Sequence, residues 1–132
     1  MKQRITAAQL AELSPEQQER LLDWWKPAVS DMVVERKTNK WYDMDETIIC
    51  IKNTGEFIFS DNPDYMDCLY WEKKDDYLPK LTIGQCIELL GIRLKKIDYD
   101  GFINNYYVQT NTGTNGKPKL IDALFAAVKE VL

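Results

Sequence analysis

Three helix-start signals constrain the fold of this 132-residue chain more than any other feature of its sequence. A Ser or Thr followed by Gln three positions later is typical of a capping box, in which both side chains bind free N–H groups at the start of a helix. This spacing begins at Thr6, Ser14 and Thr82. Pro15 takes the first helical position after Ser14, and Pro27 disfavours helical geometry at the residue before it. We therefore predict two short N-terminal helices and a central helix that ends at Gly91.

The sequence between these signals is rich in β-branched and aromatic residues. Three runs are typical of strands: residues 32–34, 47–52 and 56–60. Residues 53–55 separate the last two runs, and Gly55 can adopt the positive φ that a three-residue hairpin with a bulge requires. We predict a β-hairpin here, a further strand at 68–72 and a polar turn at 73–76.

The C-terminal part of the sequence contains one extended segment and one strongly amphipathic segment. Residues 102–110 are typical of a strand or extended chain, and residues 111–117 of a Gly/Asn-rich loop. Residues 119–132 predict a final helix, because apolar residues recur there at helical spacing. That stripe consists of Ile121, Leu124, Phe125, Val128 and Leu132. The same spacing after Thr82 predicts a buried helix face of Ile83, Cys86, Ile87 and Leu90.

Together these elements predict an α+β fold. We expect a small antiparallel sheet with a β-hairpin, packed by an N-terminal helical hairpin, a short central helix and a C-terminal helix. A chain of 132 residues has the size of one compact core. The sequence contains no repeat or linker, so we expect a single domain over residues 1–132.

The composition excludes several kinds of chemistry. Histidine is absent, which rules out Ser-His and Cys-His catalysis and removes the commonest metal ligand. Cys50, Cys68 and Cys86 form no C-x-x-C pair, so a structural zinc site is not expected. Their neighbours are apolar, which favours reduced thiols buried in the core. We expect no catalytic residues, no metal site and no cofactor, and hence a protein that is not an enzyme.

Two weaker motifs favour ordinary structural interpretations. Residues 113–118 contain G-x-x-G-K, whereas a P-loop needs G-x-x-x-x-G-K, and Pro118 stands where Ser or Thr would hold magnesium. A plain solvated loop is favoured, with an anion site at the start of the following helix as the alternative. The aspartates of residues 43–76 fit no calcium loop and favour turns in solvent.

Charge is distributed unevenly along the chain. Residues 42–76 carry ten acidic residues and three lysines, a net charge of −7, whereas the other residues carry eleven acidic and fourteen basic residues, a net charge of +3. The best basic clusters are short, residues 36–40 and 93–96, so direct binding of nucleic acid is disfavoured. No apolar run approaches the ~18 residues of a membrane span, and residues 1–10 lack a signal peptide, so we expect a bacterial cytoplasmic protein without a membrane partner.

Aromatic residues interleave with the acidic residues of this segment. Aromatic side chains in a charged surround are common at interface centres, because they bury a large area at little entropic cost. The candidate binding residues are Trp41, Tyr42, Asp43, Asp45, Asp64, Tyr65 and Trp71. Packing in the core or sheet is the alternative, and the same mixture suits a carbohydrate or a cation through stacking and cation–π contact.

Several segments resemble small uncharacterised proteins of phages and prophages in Gram-positive bacteria. The similar segments are ITAAQL at 5–10, LSPEQQ at 13–18, WWKP at 24–27, LPKLTIGQCIELL at 78–90 and DALFAAVKEVL at 122–132. They cover less than half of the chain and consist mostly of capped helices. The resemblance implies a phage-encoded protein of the host cytoplasm, and it implies no catalytic residues.

These observations lead to one main hypothesis and two alternatives. The main hypothesis is a non-enzymatic, phage-derived binding module whose acidic, aromatic-containing surface docks on a basic host protein or on a second copy of itself. The first alternative is a binder of a nucleotide, carbohydrate or cation, or a carboxylate-dependent metal hydrolase. The second is a homo-oligomeric structural or assembly protein in which the helix with Trp24 and Trp25 and the terminal helix pack against a twin subunit.

Overall fold

The computed structural model describes residues 3–36, 46–59 and 71–132. Within these ranges the chain forms an α+β fold of four α-helices and two antiparallel sheets, with four and three strands. The α+β prediction is therefore confirmed, and the strands form two small antiparallel sheets where the sequence indicated one. The chain groups into two compact units, the first within Thr6–Lys80 and the second joining the segment up to Ile5 with Leu81–Leu132. That the whole chain acts as a single domain stays a prediction.

Two short helices open the first unit: α1, Ala7–Ala11, and α2, Pro15–Trp24. Both begin with the predicted capping box. The N–H of Gln9 donates to Thr6 Oγ1 at 3.2 Å, while the side-chain oxygen of Gln9 accepts from the N–H of Thr6 at 2.9 Å. The same two bonds join Ser14 and Gln17, again at 3.2 and 2.9 Å. These reciprocal bonds satisfy N–H groups that a helix start otherwise leaves free.

The sheet of the first unit has the strand order β3-β2-β1-β4. Its strands are β1, Met32–Glu35, β2, Glu46–Ile51, β3, Phe57–Phe59, and β4, Tyr77–Pro79. The hairpin between β2 and β3 is confirmed: Gly55 has φ +90°, and the N–H of Lys52 donates to the carbonyl of Glu56 at 2.8 Å. The positive φ at Gly55 closes the three-residue loop that the sequence predicts.

Strand β4 was not predicted from the sequence, and its Pro79 has no N–H group to donate to the sheet. The strand tolerates proline since it lies at the edge of the described sheet, pairing with β1 alone. The predicted polar turn before it contains a 3₁₀ helix over Lys74–Asp76. The strand predicted at 68–72 lies mostly outside the described residues, although Glu72 forms an isolated antiparallel bridge with Phe57.

Three aromatic rings form the centre of the first unit. Trp25 and Phe57 meet edge to face with centroids 6.1 Å apart, and Phe57 meets Tyr77 in the same way at 5.6 Å. Trp25 and Phe57 are almost completely buried. Edge-to-face contacts place the positive ring edge of one residue on the negative face of the next, which favours this arrangement over a stacked one.

The second unit packs two helices and a three-stranded sheet with the order β5-β6-β7. Its elements are α3, Ile83–Leu90, β5, Leu94–Asp100, β6, Asn105–Thr110, β7, Gly113–Lys117, and α4, Leu120–Val131. Helix α4 packs on β6, β7 and α3. The apolar stripe predicted for α4 is buried at every position: Ile121, Leu124, Phe125, Val128 and Leu132.

The prediction for α3 is correct in its limits and partly wrong in its face. Thr82 caps the helix, and Gly91 ends it with φ +54°. Leu89 is buried, whereas Ile87 is 37% exposed, so Ile87 does not belong to the core as expected. Cys86 and Leu90 are buried as predicted.

Strands β5 and β7 were not predicted from the sequence. Residues 111–117 were expected to form a loop, yet Gly113–Lys117 pairs in register with β6. Gly116 lies opposite Tyr107, and a Cβ atom at Gly116 would come within 2.7 Å of the Tyr107 ring. The absence of a side chain therefore leaves room for a cross-strand aromatic ring, which favours pairing in a segment of low strand propensity.

The cysteines differ in their surroundings. Cys86 is buried as expected, but Cys50 on β2 is exposed, so the expectation of a core thiol there is wrong. Cys68 lies outside the described residues. Across those residues, the helices are too short or too polar for any of them to cross a membrane.

Candidate functional site

The predicted binding residues fall almost entirely in one part of the chain. Six of them lie outside the described residues: Trp41, Tyr42, Asp43, Asp45, Asp64 and Tyr65. Trp71 is described, and 36% of it is exposed. Of the predicted site, the structure therefore describes Trp71, which lies within the first unit.

The position of Trp71 is fixed by its neighbour in sequence. Glu72 pairs with Phe57 of β3 through two backbone hydrogen bonds, of 2.8 and 3.0 Å. The ammonium of Lys52 then lies 4.2 Å from the centroid of the Trp71 ring. A cation over an indole face is stabilised by the ring quadrupole, by about 0.5–1 kcal/mol at an exposed site. One indole face is thus occupied by a lysine, while part of the ring remains open to solvent.

A cleft of about 290 Å³ lies in the same region of the first unit. It is lined by Pro27, Thr54, Gly55, Glu56, Lys73, Lys74 and Asp75. Glu56 also contacts Lys52, with 3.9 Å between the ammonium and the carboxylate. The hairpin turn and the 3₁₀ helix therefore present charges of both signs around one concavity, an arrangement that suits a zwitterionic or hydrogen-bonding ligand.

The described residues provide neither a metal site nor a phosphate-binding loop. In residues 3–36, 46–59 and 71–132, no three His, Cys, Asp or Glu side chains converge as a metal site requires. The G-x-x-G-K motif of residues 113–117 does not form a loop, because Gly113–Lys117 is an extended strand paired with β6. A phosphate-binding loop needs consecutive N–H groups that converge on one point, which an extended strand does not provide.

A second surface, on the second unit, was not predicted from the sequence. Large apolar side chains are exposed along β5 and at both of its ends: Ile92, Ile97, Tyr99, Phe102 and Ile103. Phe102 is 101% exposed and Ile92 is 94% exposed. The sequence signal was the alternation of charged and apolar residues between Lys96 and Asp100, which is typical of a strand with two different faces. We call these five residues the β5 surface.

Comparison with protein families, with curated proteins and with solved structures finds no match to this chain.

Proposed function

We propose that the protein is a non-enzymatic binding module that docks on a basic protein through its acidic, aromatic-containing segment. The segment is that of residues 41–76, in which residues 46–59 form the β2–β3 hairpin and Trp71 is the candidate binding residue that the structure describes. The proposal includes phage origin and a partner in the host cytoplasm, as the resemblance implies.

The exposure of Trp71 carries this proposal. A tryptophan left 36% exposed beside charged side chains is typical of an interface centre, since aromatic anchors supply much of the binding free energy at protein interfaces. The net charge of −7 over residues 42–76 adds attraction for a positively charged partner. The exposed tryptophan and the negative charge occur in the same stretch of sequence, so both contribute to the binding of one partner.

The experiment is capture of host proteins by the immobilised chain. The wild type is compared with a D43K/D45K/D64K variant and with an E12K/D23K/E88K control, which makes the same charge change at exposed residues of the described helices and their caps. We expect a basic protein to be retained by the wild type and the control at low salt and lost with the first variant. Equal retention by all three chains, or retention of nothing, would overturn the proposal.

Substitution of the Trp71 side chain tests its role in the interface. W71A is expected to weaken binding of the captured protein roughly tenfold or more, as for other aromatic interface anchors. W71F keeps an aromatic face for Lys52 and is expected to lose less. Equal affinity of W71A and the wild type would remove Trp71 from the interface.

The cleft beside the hairpin favours a second candidate function, binding of a small polar molecule. Its volume of about 290 Å³ is close to the lower limit of ligand pockets, ~300 Å³. A thermal-shift screen with nucleotides, sugars and divalent cations tests it directly. A shift seen with the wild type and lost in E56Q/D75N supports this function, and the absence of any shift contradicts it.

A further inference from the structure

The outer edge of β5 is unusual for a sheet edge. In the part of the chain that the structure describes, the sheet partner of β5 is β6 alone. The strand has seven residues, LKKIDYD, and contains no proline; its register with β6 shifts between Leu94 and Lys96 and is continuous from Lys96 to Asp100. Natural edge strands are usually short, interrupted or covered, because their free N–H and C=O groups can pair with another chain. The regular edge from Lys96 to Asp100, with exposed Ile97 and Tyr99, therefore provides a template for strand addition.

We propose that β5 pairs in antiparallel fashion with β5 of a second copy of this chain, with Ile97 on the two-fold axis. The two three-stranded sheets then join into one sheet of six strands, in the order β7-β6-β5-β5-β6-β7. The partner is a second copy because β5 is complementary to itself in both charge and apolar surface.

The charges of β5 select this register. Directly opposite residues of an antiparallel pair lie on the same face of the sheet. A two-fold axis perpendicular to the sheet therefore places one residue of β5 directly opposite its own copy. An axis at Lys96 or Asp98 places that charge against itself, and an axis at Tyr99 places Asp98 against Asp100. An axis at Ile97 places Lys96 against Asp98 of the second copy, on both sides of the axis.

The two charged side chains are exposed and pair with each other within one copy. Within one copy, Lys96 Nζ lies 3.3 Å from Asp98 Oδ2, and the two side chains are 63% and 55% exposed. In the proposed register the four side chains of two copies alternate in sign along and across the strands. Opposite charges directly across a sheet stabilise the pair, and like charges in the same places destabilise it.

Apolar residues of the β5 surface match in the same register. Ile92 lies in the 3₁₀ turn Gly91–Arg93 before β5 and Phe102 in the turn after it, so antiparallel pairing brings the Ile92 end of one copy to the Phe102 end of the other. Ile97 and Tyr99 lie opposite Val108 and Tyr106 of β6, on the sheet face that carries buried Val108. The two copies of Ile97 therefore meet on that face, beside the Tyr99 rings. Removal of these side chains from water favours association.

The test uses charge exchange within β5 of the full chain. D98K leaves two positive charges at positions 96 and 98, and K96D leaves two negative charges there. Each variant alone is expected to dimerise roughly tenfold or more weakly than the wild type in sedimentation velocity. An equimolar mixture of the two is expected to form a heterodimer, and the double variant K96D/D98K is expected to regain self-association.

Heterodimer formation in the mixture of D98K and K96D is specific to the proposed register, in which residue 96 of one copy faces residue 98 of the other. E88K makes the same charge change as D98K at an exposed residue of α3 and is expected to leave dimerisation unchanged. Hydrogen exchange gives a second measurement, since the amides of residues 94–100 should gain protection as the wild-type concentration rises. A wild-type chain that stays monomeric at millimolar concentration overturns the proposal. Single variants that dimerise like the wild type, or a mixture that stays monomeric, overturn it as well.

Discussion

Asp31 shows what a single buried carboxylate contributes to the first unit. It is 8% exposed at the start of β1, and its Oδ2 accepts from the indole N–H of Trp25 at 2.9 Å and from the N–H of Ala28 at 3.0 Å. These bonds hold the segment after α2 against the first strand. This role could not be predicted from the sequence, because the bond to the indole depends on how the chain turns after Pro27.

We predict that D31A lowers the free energy of unfolding by about 1–3 kcal/mol, because the buried indole N–H of Trp25 loses its acceptor and the N–H of Ala28 loses a part-buried one. Urea denaturation measures the change. D23A removes an exposed carboxylate from α2 and should change the midpoint little. Equal stability of D31A and the wild type would show that these donors find other partners.

Cys86 and Cys50 should differ sharply in thiol chemistry. Burial raises the pKa of the Cys86 thiol from 9.0 to about 12, because the thiolate loses its solvation in the core. We expect Cys86 to resist alkylation at pH 8 in the native state and to react after unfolding, while exposed Cys50 reacts in the native state. Peptide mass spectrometry resolves the two sites, and native labelling of Cys86 would contradict its burial.

The raised pKa of Cys86 also affects stability. The thiol keeps its proton in the folded state up to about pH 12 and loses it above about pH 9 in the unfolded state. The unfolded state therefore binds fewer protons between these values, so this contribution is complete below pH 9 and is lost as pH rises toward 12. The free energies of unfolding of the wild type and of C86A, compared from pH 8 to pH 10.5, measure this contribution. The wild type should lose more stability over this range.

At the scale of the elements, the sequence predicted the helices better than the strands. Capping boxes and apolar stripes are local signals, so α1 to α4 lie where the sequence placed them. Strands β5 and β7 were missed because their stability depends on pairing with β6. Gly113–Lys117 has low strand propensity, and its pairing is favoured by the Tyr107 ring beside Gly116. Such a contact cannot be read from either segment alone.

Alanine substitutions at Gly55 and Gly84 test how backbone conformation affects stability. Gly55 has φ +90° in the hairpin, so G55A is expected to destabilise the chain by about 1–2 kcal/mol. Gly84 lies in the first turn of α3, where an added Cβ would meet Thr82 Oγ1 at an ordinary 3.9 Å. G84A should therefore stabilise the chain by about 0.5–1 kcal/mol. Thermal denaturation compares the two, and changes of the same sign would contradict this interpretation.

At the scale of the whole molecule, the candidate site could be predicted only in its composition. The sequence identified an acidic segment with aromatic residues, and Trp71 is exposed as an interface residue would be. It did not identify the cleft beside Gly55, because the residues that line it come from three separate parts of the chain. It also missed the β5 surface, because a residue's exposure depends on which sheet face α4 covers.

Binding of the captured partner, measured by calorimetry against salt concentration, tests the central claim most directly. If the acidic segment holds a basic protein, the affinity of the wild type and of E12K/D23K/E88K falls as salt screens the charges, over a Debye length of about 10 Å at 0.1 M. D43K/D45K/D64K should then bind at least tenfold more weakly at low salt. An affinity that ignores salt and is equal in all three chains would contradict the claim that this segment binds the partner.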